Sequence, residues 1–250
     1  MKRHLFTTLS LATLLLTSCY TEGYKIVDGK VYYHERTFSF GPKDYLLEGA
    51  DAATFSDMRD CYAHDAHHAW YRDQQLPGVN GSEFRYLKHG YAKDNRIVFL
   101  NGKLVVGADA ATFRIHSDYY TEDDHDFYWQ GHPLFVSDKA SFQLLGKDSG
   151  YETDWGRDRY HVYFLASKPD SIGTPPHRMR IADYDSFSKV PQQPENKDRV
   201  LSGFYARDKY YVYYRDTIVP GADPETFIEI DWEVGKDKNG KYKGNEKLRN

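Results

Sequence analysis

The side chains best suited to chemistry cluster early in the chain: Cys61, His64, Asp65, His67 and His68. Imidazoles with a carboxylate suit a borderline cation such as Zn²⁺, Cu²⁺ or Ni²⁺. His64, Asp65, His67 and His68 are therefore the candidate metal ligands. Cys61 beside so many imidazoles is a formal nucleophile candidate. A second group is acidic: Glu122, Asp123, Asp124 and Asp126. With backbone carbonyls it resembles the start of a calcium site, but it lacks the glycine that calcium loops place at their bend. Asp237-Lys238-Asn239-Gly240 has the same shortcoming, with Gly235 where such a loop carries an acid. No Gly-x-Ser-x-Gly elbow and no His-Glu-x-x-His is present. The 37 acidic residues guarantee close carboxylate pairs without singling out two of them. Trp155, Trp232, Tyr151 and Tyr184 stand nearest the irregular segments and are the candidates for stacking on a glycan.

These residues must be positioned by a repeat. Phe55, Phe84, Phe113 and Phe142 are each 29 residues apart, and Phe187 and Phe227 follow at 45 and 40. Four residues before each Phe stand Asp51, Asn80, Asp109, Asp138, Asp183 and Asp223, and one before it Thr54, Glu83, Thr112, Ser141, Ser186 and Thr226. A second anchor is Asp65, Asp94, Asp123, Asp158 and Asp208. An aromatic stands three residues before it (Tyr62, Tyr91, Tyr120, Trp155, Tyr205) and another five after (Trp70, Phe99, Tyr128, Tyr163, Tyr213). Asp237 and Tyr242 begin a last, incomplete unit. In the unit from Tyr91, Asp94 suits a turn because its carboxylate accepts backbone N–H groups. Ile97 to Leu100 has strand composition, and Asn101-Gly102 is a hairpin signal. Asp109 reads as the cap of one helical turn, with Pro224 at the first position of the corresponding turn in the sixth unit.

The expected fold is mainly β: tandem repeats of about 29 residues, each a β-hairpin or three-stranded meander plus one short capped helical turn. Six units and a terminal fragment make one domain over residues 24–250. The units close as a propeller-like ring or stack in an open, elongated array. A four-stranded blade usually takes ~40–45 residues, so the open array is the expectation. Residues 146–157, 166–178 and 191–204 hold the extra length and read as loops. The repeat also recasts the histidines. They fall where the next unit has Lys93, Asp94, Arg96 and Ile97, in a solvent-facing hairpin turn, and the turn is the expected role. Cys61, just before Tyr62, is expected to be a buried strand thiol.

Residues 1–18 open with Lys2-Arg3-His4, continue through an apolar run from Leu5 to Leu16 and end in Thr17-Ser18 before Cys19, the order of a secretory signal. Leu16-Thr17-Ser18-Cys19 resembles a bacterial lipobox, which implies diacylglycerol on the Cys19 thiol, with residues 19–23 as anchor and linker. Acyl chains in that number hold a protein stably at a membrane. In an enteric-type Gram-negative envelope an Asp after the cysteine retains such a protein at the inner membrane; Tyr20 points to the outer one. Loss of residues 1–18 removes Lys2 and Arg3 and no acid, taking the net charge from −4 to −6. That excludes the basic face of a nucleic-acid binder. Leu, Ile, Val and Phe make up about 20% of the mature part, at the edge of what an ordered chain carries. The 22 Tyr and 4 Trp, all after residue 18, must therefore build much of the core.

Tyr91-Ala92-Lys93-Asp94, the run Tyr205-Ala206-Arg207-Asp208-Lys209-Tyr210-Tyr211-Val212-Tyr213-Tyr214 and the Gly-Ala-Asp-x-x-Thr-Phe unit ends resemble the DKNYY family of bacterial repeat proteins, over about residues 24–243. Ala66-His67-His68 and Asp124-His125-Asp126 depart from the motif. The family is known mainly as secreted or lipid-anchored proteins without an assigned activity. The resemblance thus implies an envelope location and a repeat architecture, and it supplies no catalytic residue or cofactor. The function expected is a lipid-anchored, non-enzymatic binding or interaction module. It needs no cofactor, touches the membrane through its lipid, and has an envelope protein or glycan as partner. The alternative is a metal-dependent factor or enzyme using the His64–His68 region.

Overall fold

A computed structural model describes residues 22–37, 41–117, 119–145, 147–148, 151–152, 155–165, 179, 181, 183–193 and 203–249. The expectations for the signal segment and Cys19 lie outside them, as do the expected loop 166–178 and most of 191–204; the stretch 146–157, expected to be a loop, instead holds a hairpin of Lys147–Asp148 with Tyr151–Glu152 and the strand Trp155–Arg157. The described chain is a succession of small antiparallel sheets with almost no helix. The first has three strands, Gly23–Val27, Lys30–Thr37 and Gly41–Leu46. The second is Ser56–Asp57, Tyr62–His64, Ala69–Tyr71 and Gln74–Gln75. The third is Arg85–Tyr86, Tyr91–Lys93, Val98–Leu100 and Lys103–Leu104. The fourth is Arg114–Ile115, Tyr120–Glu122, Phe127–Trp129 and His132–Pro133. The fifth keeps Gln143–Leu144, Trp155–Arg157 and Val162–Phe164. The sixth is Ser188–Lys189, Tyr205–Arg207, Val212–Tyr214 and Thr217–Ile218. The seventh is Ile228–Asp231, Val234–Asp237, Gly240–Lys243 and Glu246–Lys247.

The second, third, fourth, sixth and seventh sheets thus hold one strand more than the expected three-stranded meander. Strands of two to four residues let four of them fit in 29. From the second sheet on, the first strand of each sheet follows an anchor Phe directly, so the stretch after Phe227 forms a full sheet rather than a fragment. Asn101-Gly102 makes the expected hairpin, with φ +47° and +76° and Leu100 paired to Lys103.

In a four-stranded meander the turns alternate between the two ends of the strands. The turn between strands two and three shares one end with the capped turn that enters the sheet. Asp65, Asp94, Asp123, Asp158, Asp208 and Asp237 join the two. One carboxylate oxygen accepts the N–H groups two and three residues on, at 2.6–2.9 Å. The other accepts the N–H of Asp51, Asn80, Asp109, Asp138, Asp183 or Asp223, the residue that opens the capped turn, at 2.5–3.0 Å. The hydroxyls of Thr54, Thr112, Ser141, Ser186 and Thr226 accept the N–H just after the aspartate, at 2.9–3.2 Å. Tyr128, Tyr163 and Tyr213 each donate a hydroxyl to the same carboxylate at 2.7 Å. The capped turn is a 3₁₀ turn at Gly81–Glu83 and Lys139–Ser141 and a simple turn elsewhere. Asn80 and Asp109 cap it through their side chains, whereas Asp138 takes the Ser141 hydroxyl instead.

The opposite end is stitched by tyrosine. Tyr62 Oη donates to the Gly90 carbonyl at 3.0 Å and accepts the Gly102 N–H at 2.8 Å, both in the next sheet. Every insertion lies at this end. Asp138–Asp158 and Asp183–Asp208 are 20 and 25 residues apart against 14 in the other units, the excess falling between strands one and two. The third insertion follows Leu165, after the third strand of the fifth sheet. Beyond it the ladder resumes: the Met179 N–H donates to the Val162 carbonyl as the Leu134 N–H does to Phe127.

Between consecutive sheets the anchor Phe is a wedge. Phe113 is 8% exposed, with its ring 5.5 Å from Tyr91 and 5.9 Å from Tyr128. Phe227 lies likewise between Tyr205 and Tyr242. The residue beneath the wedge is small: a Cβ on Gly156 or Gly235 would come 2.6 or 2.1 Å from the Phe142 or Phe227 ring. Each core cluster draws on neighbouring sheets, and among the described residues none joins the first sheet to the seventh.

Three substitutions rank these roles in denaturant melts. Phe113→Ala is expected to cost ~3–5 kcal/mol and Asp109→Ala ~0.5–2 kcal/mol. Asp123→Asn, which turns one acceptor into a donor facing the Asp109 N–H, is expected to cost ~1–3 kcal/mol. A Phe113→Ala variant no less stable than Asp109→Ala would overturn the wedge.

Acid supplies a second test. Burial pushes the pKa of Asp65, Asp94, Asp123, Asp158 and Asp208 up, but their N–H and hydroxyl donors outweigh it and hold all five below the usual carboxylate value. A depressed pKa adds stability above the unfolded value of ~3.9, lost as pH falls through the folded one. Urea midpoints are therefore expected to be flat above about pH 5 and to drop steeply below about pH 4. A midpoint unchanged down to about pH 2.5 would contradict the buried ionised carboxylates.

Candidate functional site

The histidine-rich turn joins Tyr62–His64 to Ala69–Tyr71. At its centre Asp65 is buried, and its oxygens are engaged by the His67, His68 and Asp51 N–H groups. His64 Nδ1 lies 3.1 Å from the Asp65 carbonyl oxygen. His68 is half-buried, its Nδ1 3.8 Å from Asp65 Oδ1 and its ring 5.8 Å from Trp70. His67 is exposed. Asp65 thus holds the turn together from inside while the imidazoles lie around it. Among the described residues no three His, Cys, Asp or Glu side chains are disposed to hold a metal ion.

The acidic run is similarly divided. Glu122 lies 2.9 Å from Lys139 Nζ and 3.0 Å from His116 Nε2. Asp124 pairs with Arg114. Asp126 accepts the N–H groups of Phe127, Phe135 and Val136 at 2.7–3.2 Å, and burial raises its pKa. Asp123 is one of the aspartates that join the turns.

Cys61 is not the buried strand residue expected of it. It is half-buried at φ +62°, in the turn before Tyr62, because the tight hairpin between strands one and two needs left-handed residues at Asp60 and Cys61. Its carbonyl accepts the Tyr24 hydroxyl at 2.6 Å, and its thiol is free, 3.8 Å from Tyr33 Oη. The four aromatic candidates also separate. Trp155 is fully buried, with its indole N–H donating to the Gly203 carbonyl at 2.9 Å. Tyr184 is half-buried, 5.7 Å from the Arg157 guanidinium. Trp232 is exposed and leans edge-on against Phe204. The Tyr151 side chain lies outside the described residues.

Two features escaped the sequence. The first is a row of turn tips, two residues after each joining aspartate: His67, Arg96, His125, Tyr160, Tyr210 and Asn239, all exposed and chemically unlike. The second is a cleft of about 330 Å³ where the first sheet meets the hairpin tips of the second and third. The only sequence signal for it is the longer strand pair of the first unit. A wider depression of about 580 Å³ lies between the fifth, sixth and seventh sheets, lined by Leu145, Arg157, Gln192 and Glu229 among others.

The DKNYY family model matches residues 72–132 and 205–250. The family resemblance carried by the repeat motifs therefore holds over the third and fourth sheets and over the sixth and seventh, on either side of the fifth with its insertions. No curated protein and no solved structure shows detectable similarity to the chain.

If the histidines only decorate a turn, the double variant His67→Ala/His68→Ala is expected to melt within ~0.5 kcal/mol of the parent. Calorimetry with Zn²⁺ and Cu²⁺ is then expected to give the same weak heats for both proteins. Sub-micromolar affinity lost in the double variant would restore the metal site.

Proposed function

We propose that this chain is a bacterial envelope lipoprotein, tethered to a membrane through Cys19 and acting as a non-enzymatic binding or interaction module. In an envelope with two membranes, Tyr20 directs it to the outer one. The tether rests on Leu16-Thr17-Ser18-Cys19 behind an apolar run with a basic start. The binding role rests on a division of labour within the repeat. Residues that recur from unit to unit, the aspartates, threonines, tyrosines and phenylalanines, are engaged in holding sheet to sheet. Residues that change from unit to unit stand exposed at the turn tips. A scaffold that fixes the spacing of variable side chains along one edge is the arrangement stacked repeats use for recognition.

The tether is tested by Cys19→Ser. Since the thiol is the acylated group, the variant is expected to accumulate as an unprocessed precursor or to leave the detergent phase for the aqueous one. Mass spectrometry of the parent is expected to show a diacylglyceryl-modified N-terminus at Cys19. Unchanged mass and partitioning in the variant would remove the lipoprotein reading.

A further inference from the structure

The first sheet breaks the repeat in one respect. Its strands Lys30–Thr37 and Gly41–Leu46 have eight and six residues, against two to four in all later sheets. Successive strand residues face opposite sides. Val31 and Tyr33 are buried on the core side, and the next residue on that side is Glu35, directly opposite Lys43. Tyr45, opposite Tyr33, completes the row. The core-facing surface therefore turns from apolar to charged where the strand pair overruns its neighbour.

Facing this overhang are the hairpin tips Arg72-Asp73 and Asn101-Gly102, which with it enclose the cleft of about 330 Å³. Its walls are fixed before any ligand arrives. Gly102, at φ +76°, lies so close to the Tyr71 ring that a Cβ would come within 2.3 Å of it. The Tyr45 hydroxyl donates to Glu35 at 2.9 Å. The Arg72 guanidinium sits 5.7 Å from the Tyr71 ring centre and 3.4 Å from Glu22. The side chains of Asp73, Gln74 and Lys103 are exposed and, among the described residues, have no hydrogen-bond or ion-pair partner.

The lining has two acids, Glu35 and Asp73, and two bases, Arg72 and Lys103. Their balance favours neither a phosphate nor a cation. What they offer is donors and acceptors side by side, next to the half-buried rings of Tyr45 and Tyr71. That combination matches a ligand whose hydroxyls both give and accept hydrogen bonds and whose C–H faces are apolar. The volume is at the lower end of small-ligand sites. We propose that this cleft is a saccharide site, holding one or two rings of a neutral glycan. The proposal deepens the binding-module reading and rests on it.

The test uses the full-length protein in detergent, titrated with N-acetylglucosamine, N,N′-diacetylchitobiose and maltose by calorimetry and saturation-transfer NMR. At least one sugar is expected to bind. Its dissociation constant is expected to rise about tenfold or more, about 1.4 kcal/mol, in Asp73→Ala/Lys103→Ala and in Glu35→Gln. The Asp73 and Lys103 side chains are exposed and, among the described residues, unpartnered, so the double variant is expected to keep the parent's melting temperature, and it carries the test if Glu35→Gln does not. Trp232→Ala, in the seventh sheet, is expected to bind like the parent. No binding of any of the three sugars at about 10 mM, or equal affinity in the cleft variants, overturns the site. The tether reads out separately. A lipidated protein that ignores all three sugars loses the cleft alone, and a sugar-binding protein whose Cys19→Ser variant partitions unchanged loses the tether alone.

Discussion

One carboxylate shared between two turns is the interaction on which the rest of this protein depends. Burying an ionised aspartate is costly unless donors surround it. Here three backbone N–H groups do so, with a tyrosine hydroxyl as a fourth donor in the fourth, fifth and sixth sheets. The donors belong to two different pieces of chain: the turn inside one sheet and the turn that enters it. Neither turn is satisfied without the other. Strands of two or three residues contribute few ladder bonds of their own, so the carboxylate does work that longer strands do elsewhere through backbone pairing. Hydrogen bonds to a charged acceptor are the stronger kind, which suits so short a sheet.

The phenylalanine wedge and the tyrosine stitch make the same argument in apolar terms. A sheet with ten paired residues, such as the third, cannot bury an aromatic face alone; a ring placed between two sheets buries both at once. Glycine beneath the wedge is the complement of its size where Phe142 closes on Gly156 and Phe227 on Gly235. Interactions run from each sheet to the next, the quasi-one-dimensional logic of stacked repeats.

Much of this could be read in the residues. The offsets around Phe113 located the wedge, Asp109 its cap, and Asn101-Gly102 its hairpin. The acid at Asp94 was readable as a turn residue, because one of its oxygens serves its own turn. Its other oxygen serves a turn 14 residues back, and no local rule points that far, although the same spacing recurs in four of the six units. The fourth strand went unread because two-residue strands leave no periodicity. Cys61 was misplaced because its neighbour Tyr62 begins the strand and a left-handed cysteine leaves no compositional mark. Trp155 was drawn toward a ligand by the insertion beside it, though its repeat position already made it core. The cleft was the least legible feature: it comes from strands overrunning a neighbour, which only assembled sheets reveal.

Every insertion falls at the tyrosine-stitched end, and the aspartate end keeps its spacing. The two ends therefore evolve by different rules. At one, chain length is free to change, since a longer connection between strands displaces nothing but solvent. At the other, length is locked by the reach of a carboxylate, and only side-chain identity can drift. A window of one period, begun at any residue, still contains one acceptor and one full set of donors. Whole periods can thus be gained or lost by recombination at any phase without leaving a bond unmade, and extra residues between cap and aspartate are absorbed at the stitched end, as the bonds from Asp138 to Asp158 and from Asp183 to Asp208 show.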